Sequence, residues 1–210
     1  MMENHDIFNF YWLGGCPSGG KTTIAGELSK ATNIPVYHTD EHSLEYGLRI
    51  NERRPDFHQN VNMDFVNSIV TMSDKPWFDM FIAGLRVTCS IILDDVTKLY
   101  SEESVIIEGG VLLPEFIAEI GAERRAVLVN PTYEYLRGYL PKQQWMAYTL
   151  SNISDDGYRA LFVERLLLKY NLFREYVIET AGKYKIKAVT TAVPESLDNN
   201  VRIISQYLFT

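Results

Sequence analysis

Eight consecutive residues constrain this chain more than any others: Gly15-Cys16-Pro17-Ser18-Gly19-Gly20-Lys21-Thr22. Their form is G-x-x-x-x-G-K-[ST], a glycine-rich turn that runs straight into a lysine and a hydroxyl residue. Such a turn at the head of a helix points successive backbone N–H groups into one concave nest. Nest and helix macrodipole together favour a polyphosphate. At Gly15 and Gly20 a Cβ would restrict the turn and block close approach of the anion. Cys16, Pro17, Ser18 and Gly19 supply the rest of the loop, and Thr23 carries it into the helix. Lys21 offers a positive charge to β- and γ-phosphates, and the Thr22 hydroxyl is placed to ligate Mg²⁺. Cys16 has two readings: a thiol made reactive by surrounding amide dipoles, or a small loop filler.

The flanks fit a phosphate-binding P-loop, which requires strand, loop and helix in that order. Ile7 to Leu13 is aromatic and apolar and reads as a buried strand. Ile24, Ala25, Leu28 and Ala31 have helical spacing, with Asn33 and Pro35 as stop signals. Short β segments then alternate with longer helical ones along the chain. That predicts one α/β domain over residues 1–210, a P-loop NTP hydrolase fold with a five-stranded parallel sheet and helices on both faces.

Composition narrows the function classes. At 46% hydrophobic and 22% charged, the chain can fill a core of that size. A net charge of −7 argues against a surface that coats nucleic acid. Two cysteines, Cys16 and Cys89, build neither a disulfide framework nor a metal cluster. No uninterrupted apolar run approaches the roughly 20 residues of a membrane span, and the N-terminal Met1 to Asp6 is polar, unlike a signal peptide. The expectation is a soluble, cytoplasmic protein.

Candidate acids stand at the ends of predicted strands, where open α/β sheets bind ligands. Pro35-Val36-Tyr37-His38 leads into Thr39 and Asp40; Ser104-Val105-Ile106-Ile107 leads into Glu108, Gly109 and Gly110. Asp40 is also a plausible N-cap for a helix starting near His42 or Ser43. Ser90 to Asp95 competes as a strand ending in acids, but the stripe Phe78, Phe81, Ile82, Leu85, Ile92, Val96, Leu99 favours helix. Further strands are expected at Arg125–Asn130 and Lys185–Thr190. Helices are expected at residues 132–139, Tyr158–Lys183 and Ser196–Leu208, the last announced by Pro194.

P-loop, helix, then an apolar strand ending in an acid resembles the P-loop small-molecule kinases of the nucleoside-monophosphate-kinase-like group. Shikimate, gluconate and 2-phosphoglycerate kinase-like proteins belong to that group. The run Val-Ile-Ile-Glu-Gly-Gly-Val-Leu-Leu-Pro is similar to the matching strand of 2-phosphoglycerate kinase-like and zeta-toxin-like proteins, although many P-loop proteins carry Asp where Glu108 stands. The resemblance implies ATP and Mg²⁺ as cofactors and transfer of the γ-phosphate to a small-molecule acceptor. It gives Asp40 the acceptor's proton or a share of the metal, and Glu108 the metal side. It also implies an acceptor-binding region over about 43–75 and a lid over about 138–157. Arg49 and Arg53, four apart on one helical face, would suit an anionic acceptor, with Gly109 and Gly110 allowing close approach. Residues 141–157 read as polar and irregular; Arg137 leads the candidates for a catalytic lid arginine, ahead of Lys142, Arg159 and Arg165. A regulatory GTPase would carry Asn-Lys-x-Asp and Asp-x-x-Gly, and the chain has neither. A nucleotide-binding module without an acceptor stays open as the alternative.

Overall fold

The computed structural model describes residues 9–53, 65–192 and 196–209. Its strands are β1 (Phe10–Gly14), β2 (Val36–His38), β3 (Val105–Glu108), β4 (Ala126–Pro131) and β5 (Lys187–Thr191). Parity along the central three decides the architecture. Phe10, Trp12, Val105, Ile107, Ala126 and Leu128 join one core, whereas Leu13, Ile106, Val127 and Val129 join another. Successive side chains of a strand point to opposite faces, so both faces of this sheet are buried, as an all-parallel sheet requires. The strand order is β2-β3-β1-β4-β5, and every pairing is parallel.

The helices are α1 (Lys21–Thr32), α2 (Ser43–Arg53), α3 (Phe65–Thr71), α4 (Asp74–Leu99), α5 (Pro114–Glu119), α6 (Tyr133–Tyr139), α7 (Gln144–Ser151), α8 (Asp156–Tyr184) and α9 (Ser196–Phe209). α1 and α9 cover the Leu13 face through Ile24, Ala25, Leu28, Ile204 and Leu208. α4, α5 and α8 cover the Trp12 face through Cys89, Ile92, Ile117, Phe162 and Phe173. Lys169 of α8 has no exposed surface, yet its charge is accommodated. Its Nζ donates to the Met72 carbonyl at 3.0 Å and to Asp74 at 3.2 Å, and lies 5.2 Å from the centre of the Trp77 ring. These contacts fasten α8 to the start of α4.

Several boundaries differ from expectation. Ile7 and Phe8 of the first strand lie outside the described residues, as do Pro194 and residues 54–64 of the expected acceptor-binding region. The interval Ser90–Asp95 is helical within α4. That helix is long and apolar enough by composition to cross a bilayer, though Arg86 interrupts its apolar run, and here Trp77, Leu85, Cys89, Ile91, Ile92 and Val96 are buried. Residues 141–157 are not irregular throughout: they contain α7, whose Met146 is fully buried. β5 starts two residues later than expected because Lys185 is the left-handed C-cap of α8 (φ 59°), its N–H returning to the last turn. α5, opened by Pro114 at its first turn, was not anticipated.

Candidate functional site

β1 is the middle strand, and the loop after it is held from both sides. Gly15 sits at φ +116°, with an ideal Cβ only 2.2 Å from the Val129 carbonyl oxygen. At Gly19 the same oxygen would lie 2.7 Å from a Cβ. The loop thus presses backbone to backbone against β4, which no side chain at those positions permits. Gly20 (φ +84°) turns the chain into α1. Side chains from the next strands complete the clamp. Asn130 Oδ1 accepts the Cys16 N–H at 3.1 Å, and Thr191 Oγ1 donates to the Gly19 carbonyl at 2.9 Å. Asn200 in turn donates to Thr191 Oγ1 at 3.3 Å. Asn130, Thr191 and Asn200 were missed in the sequence, although Asn130 and Thr191 close apolar strands much as Asp40 and Glu108 do.

Lys21, nearly buried, curls back so that Nζ donates to the Cys16 carbonyl at 2.9 Å. Burial lowers its pKa, and Glu108 and Asp40 are near enough to oppose that shift. Thr22 Oγ1 donates to Glu108 Oε1 at 3.2 Å, and His38 Nδ1 meets the same oxygen at 2.9 Å. In the tautomer with its proton on Nδ1, the imidazole donates to this carboxylate oxygen as Thr22 does. Glu108 is buried, and these two donors offset the cost of burying it. His38 stands opposite Glu108 in the β2–β3 register, which explains the contact.

A cleft of about 640 Å³ opens above this edge of the sheet. Pro17, Ser18, Gly20, Lys21, Thr22 and Thr23 form its floor. The connection after β2 contributes the exposed Asp40; that after β3 contributes Gly110 and Val111. At the other end stand Thr191, the last residue of β5, and Leu197 of α9. The structure thus brings together the loop, Lys21, Thr22, Asp40 and Gly110, with Glu108 behind Thr22. The roof comes from Phe81 and Leu85 of α4, Tyr170 and Phe173 of α8, and Tyr135, none of them expected, together with Tyr139 and Trp145 from the interval expected to hold a lid.

Four expected residues act elsewhere. Arg49 forms a bidentate pair with Asp95 of α4 (2.6 and 2.8 Å), and Arg53 pairs with Asp94 at 2.8 Å. Both guanidiniums tie α2 to α4, and neither lines the cleft. Arg137 lines a separate groove with Tyr133, Arg159 and Leu168, because its position on α6 faces α8. Gly109 meets Thr39, whose Oγ1 would lie 1.8 Å from a Cβ there, so its close approach is internal. Cys16 is no activated thiol. Burial pushes its pKa up to about 12, outweighing the opposing effect of Lys21, and Sγ faces the Tyr170 carbonyl at 3.7 Å.

No family model matches the chain, and no curated protein matches it. Among solved structures, an uncharacterized protein from Eubacterium ventriosum is 12% identical with a TM-score of 0.47, covering 95% of this chain and 97% of that one. A protein from Chloroflexus aurantiacus named as a "putative kinase" is 16% identical with a TM-score of 0.46, at the same coverage. At such scores neither likeness bears on the site.

Proposed function

We propose that this chain is an ATP-dependent phosphotransferase of the P-loop kinase type, passing the γ-phosphate to a hydroxyl of a small molecule. One observation carries the reading: the glycine loop, Lys21, the Thr22–Glu108 pair and Asp40 all meet at a single cleft on the carboxyl edge of the sheet. The residues fit the nucleotide. The loop is braced by β4 and β5, α1 begins without a side-chain cap, and Gly110 leaves space facing Lys21 Nζ. They also fit Mg²⁺, which takes oxygen ligands, keeps several waters and needs only one or two carboxylates beside the phosphates. Thr22 and Glu108 supply such oxygens. Among the described residues no three acidic, histidine or cysteine side chains form a cage of their own.

Each residue then has a task. Lys21 leaves the Cys16 carbonyl for the phosphates, adding charge where charge develops. Thr22 and Glu108 would hold the metal side, and His38 orients Glu108. Asp40 accepts the acceptor's proton or orients its hydroxyl. Bound Mg²⁺ would contribute charge neutralisation on the transferring group.

Asp40→Asn is expected to lower kcat by about 10²- to 10⁴-fold with nucleotide affinity retained. Glu108→Gln is expected to move the Mg²⁺ dependence to higher concentration. Lys21→Met should abolish most transfer at saturating ATP. Acceptor-dependent ADP release across a Mg²⁺ titration measures all three. Near wild-type turnover in Lys21→Met would overturn the assignment, and rescue of Asp40→Asn by excess Mg²⁺ would reverse the two acids. The described cleft lining includes no arginine, which favours a second reading, a nucleotide-binding module without transfer. Tight Mg·ATP binding with no acceptor-dependent turnover would select it.

A further inference from the structure

We infer that the acceptor is an uncharged alcohol with a flat apolar or aromatic body; this rests on the phosphotransferase reading. The strand order divides the cleft. The loop after β1 lies centrally, Thr191 and Leu197 belong to the β5 end, and Asp40, Gly110 and Val111 belong to the β2–β3 end. The acceptor's hydroxyl must reach the end that holds Asp40.

That end has an apolar wall. α4 is joined to the connection after β3, where Cys89 Sγ donates to the Val111 carbonyl at 3.1 Å. One turn earlier Leu85 lines the cleft, and one further turn brings Phe81. Phe81 meets Phe173 of α8 edge-on, with ring centres 5.3 Å apart and planes at 85°. Tyr170, one helical turn before Phe173, lines the same space. Burial raises its pKa, with Cys16 and then Asp40 acting in the same direction, so its hydroxyl stays protonated.

The charges point the same way. Of the described residues that line the cleft, Lys21 is the one cation, and it belongs to the phosphate loop. The two arginines that suggested an anionic acceptor are engaged with Asp94 and Asp95. A carboxylated or phosphorylated acceptor would leave water for an aromatic wall, face Asp40 and, among the described lining residues, meet no cation besides Lys21. Burying an unpaired anion is costly, whereas a ring gains contact with Phe81 and Phe173.

Four probes separate body from charge: 3-phenylpropane-1,2-diol, 3-phenyllactate, glycerol and glycerate. Binding of each to the full chain is measured by calorimetry, with and without Mg·ADP. The diol is expected to bind at least about tenfold more tightly than phenyllactate and than glycerol. Phe81→Ala should weaken the diol about tenfold while leaving Mg·ATP affinity unchanged. Equal or tighter binding of either carboxylate, or no binding by the ring-bearing diol, overturns the inference. Failure of Mg·ATP to bind would instead remove the phosphotransferase reading, and the nucleotide-free titrations would still report on the wall.

Discussion

Gly109 shows how a single residue can be legible and still be misread. The pair Gly109-Gly110 after an acid signals that backbone must come close to something. Gly110 does line the cleft, but Gly109 lies against Thr39, whose buried Oγ1 has no hydrogen-bond partner among the described residues. Gly109→Ala should therefore destabilise by about 1–3 kcal/mol through overpacking. Thr39→Ala alone should be nearly neutral, since it removes an unpartnered hydroxyl, and the double variant should recover part of the loss. Urea unfolding of the three variants checks this; additive losses would refute it. The loop from Gly15 to Thr22 was readable because its chemistry is local, each glycine answering to a φ or a contact. Asn130 and Thr191 were not, because strand-terminal polar residues are common and only the sheet order reveals which of them reach the loop.

At the scale of elements, the i, i+4 spacing of Arg49 and Arg53 placed both on one face of α2, and that was correct. What lay opposite that face could not be read, since the partners come from α4, far along the chain. The two pairs differ in exposure: Arg49 and Asp95 are 23% and 15% exposed, against 40% and 42% for Arg53 and Asp94. Arg49→Met should thus cost about 1.5–3 kcal/mol, as a charge-assisted bidentate contact does. Arg53→Met should cost under about 1 kcal/mol. Chemical denaturation distinguishes them; equal losses would show that the exposed pair is held as firmly as the sheltered one. α4 was legible because its apolar stripe runs for many turns. α7 was not, because a single buried residue, Met146, in so short a helix is too faint a period to count.

For the molecule as a whole, the number and direction of the strands followed from the alternation of β and α segments, since parallel strands need helical crossovers. Their order did not, because similarly apolar strands give no sign of which lie side by side. The two thiols impose a pH dependence on this fold. Burial raises Cys16 and Cys89 from 9.0 to about 12, so above pH 9 the unfolded chain sheds protons that the native one keeps. Stability is then complete below pH 9 and falls as pH rises toward 12, by about 1.4 kcal/mol per pH unit for each thiol. Lys21, lowered by burial, acts in the opposite sense below 10.5. Cys89→Ala should flatten the alkaline arm of the stability curve by one thiol's share, and an unchanged slope would rule that out. The order β2-β3-β1-β4-β5 also sets the direction of synthesis against that of assembly. Every strand made before Val105 lacks its neighbour, since β1 and β2 flank β3 without touching. The glycine loop leans on Val129 and is clamped by Thr191, so it acquires its shape only when strands synthesised long after it have joined the sheet.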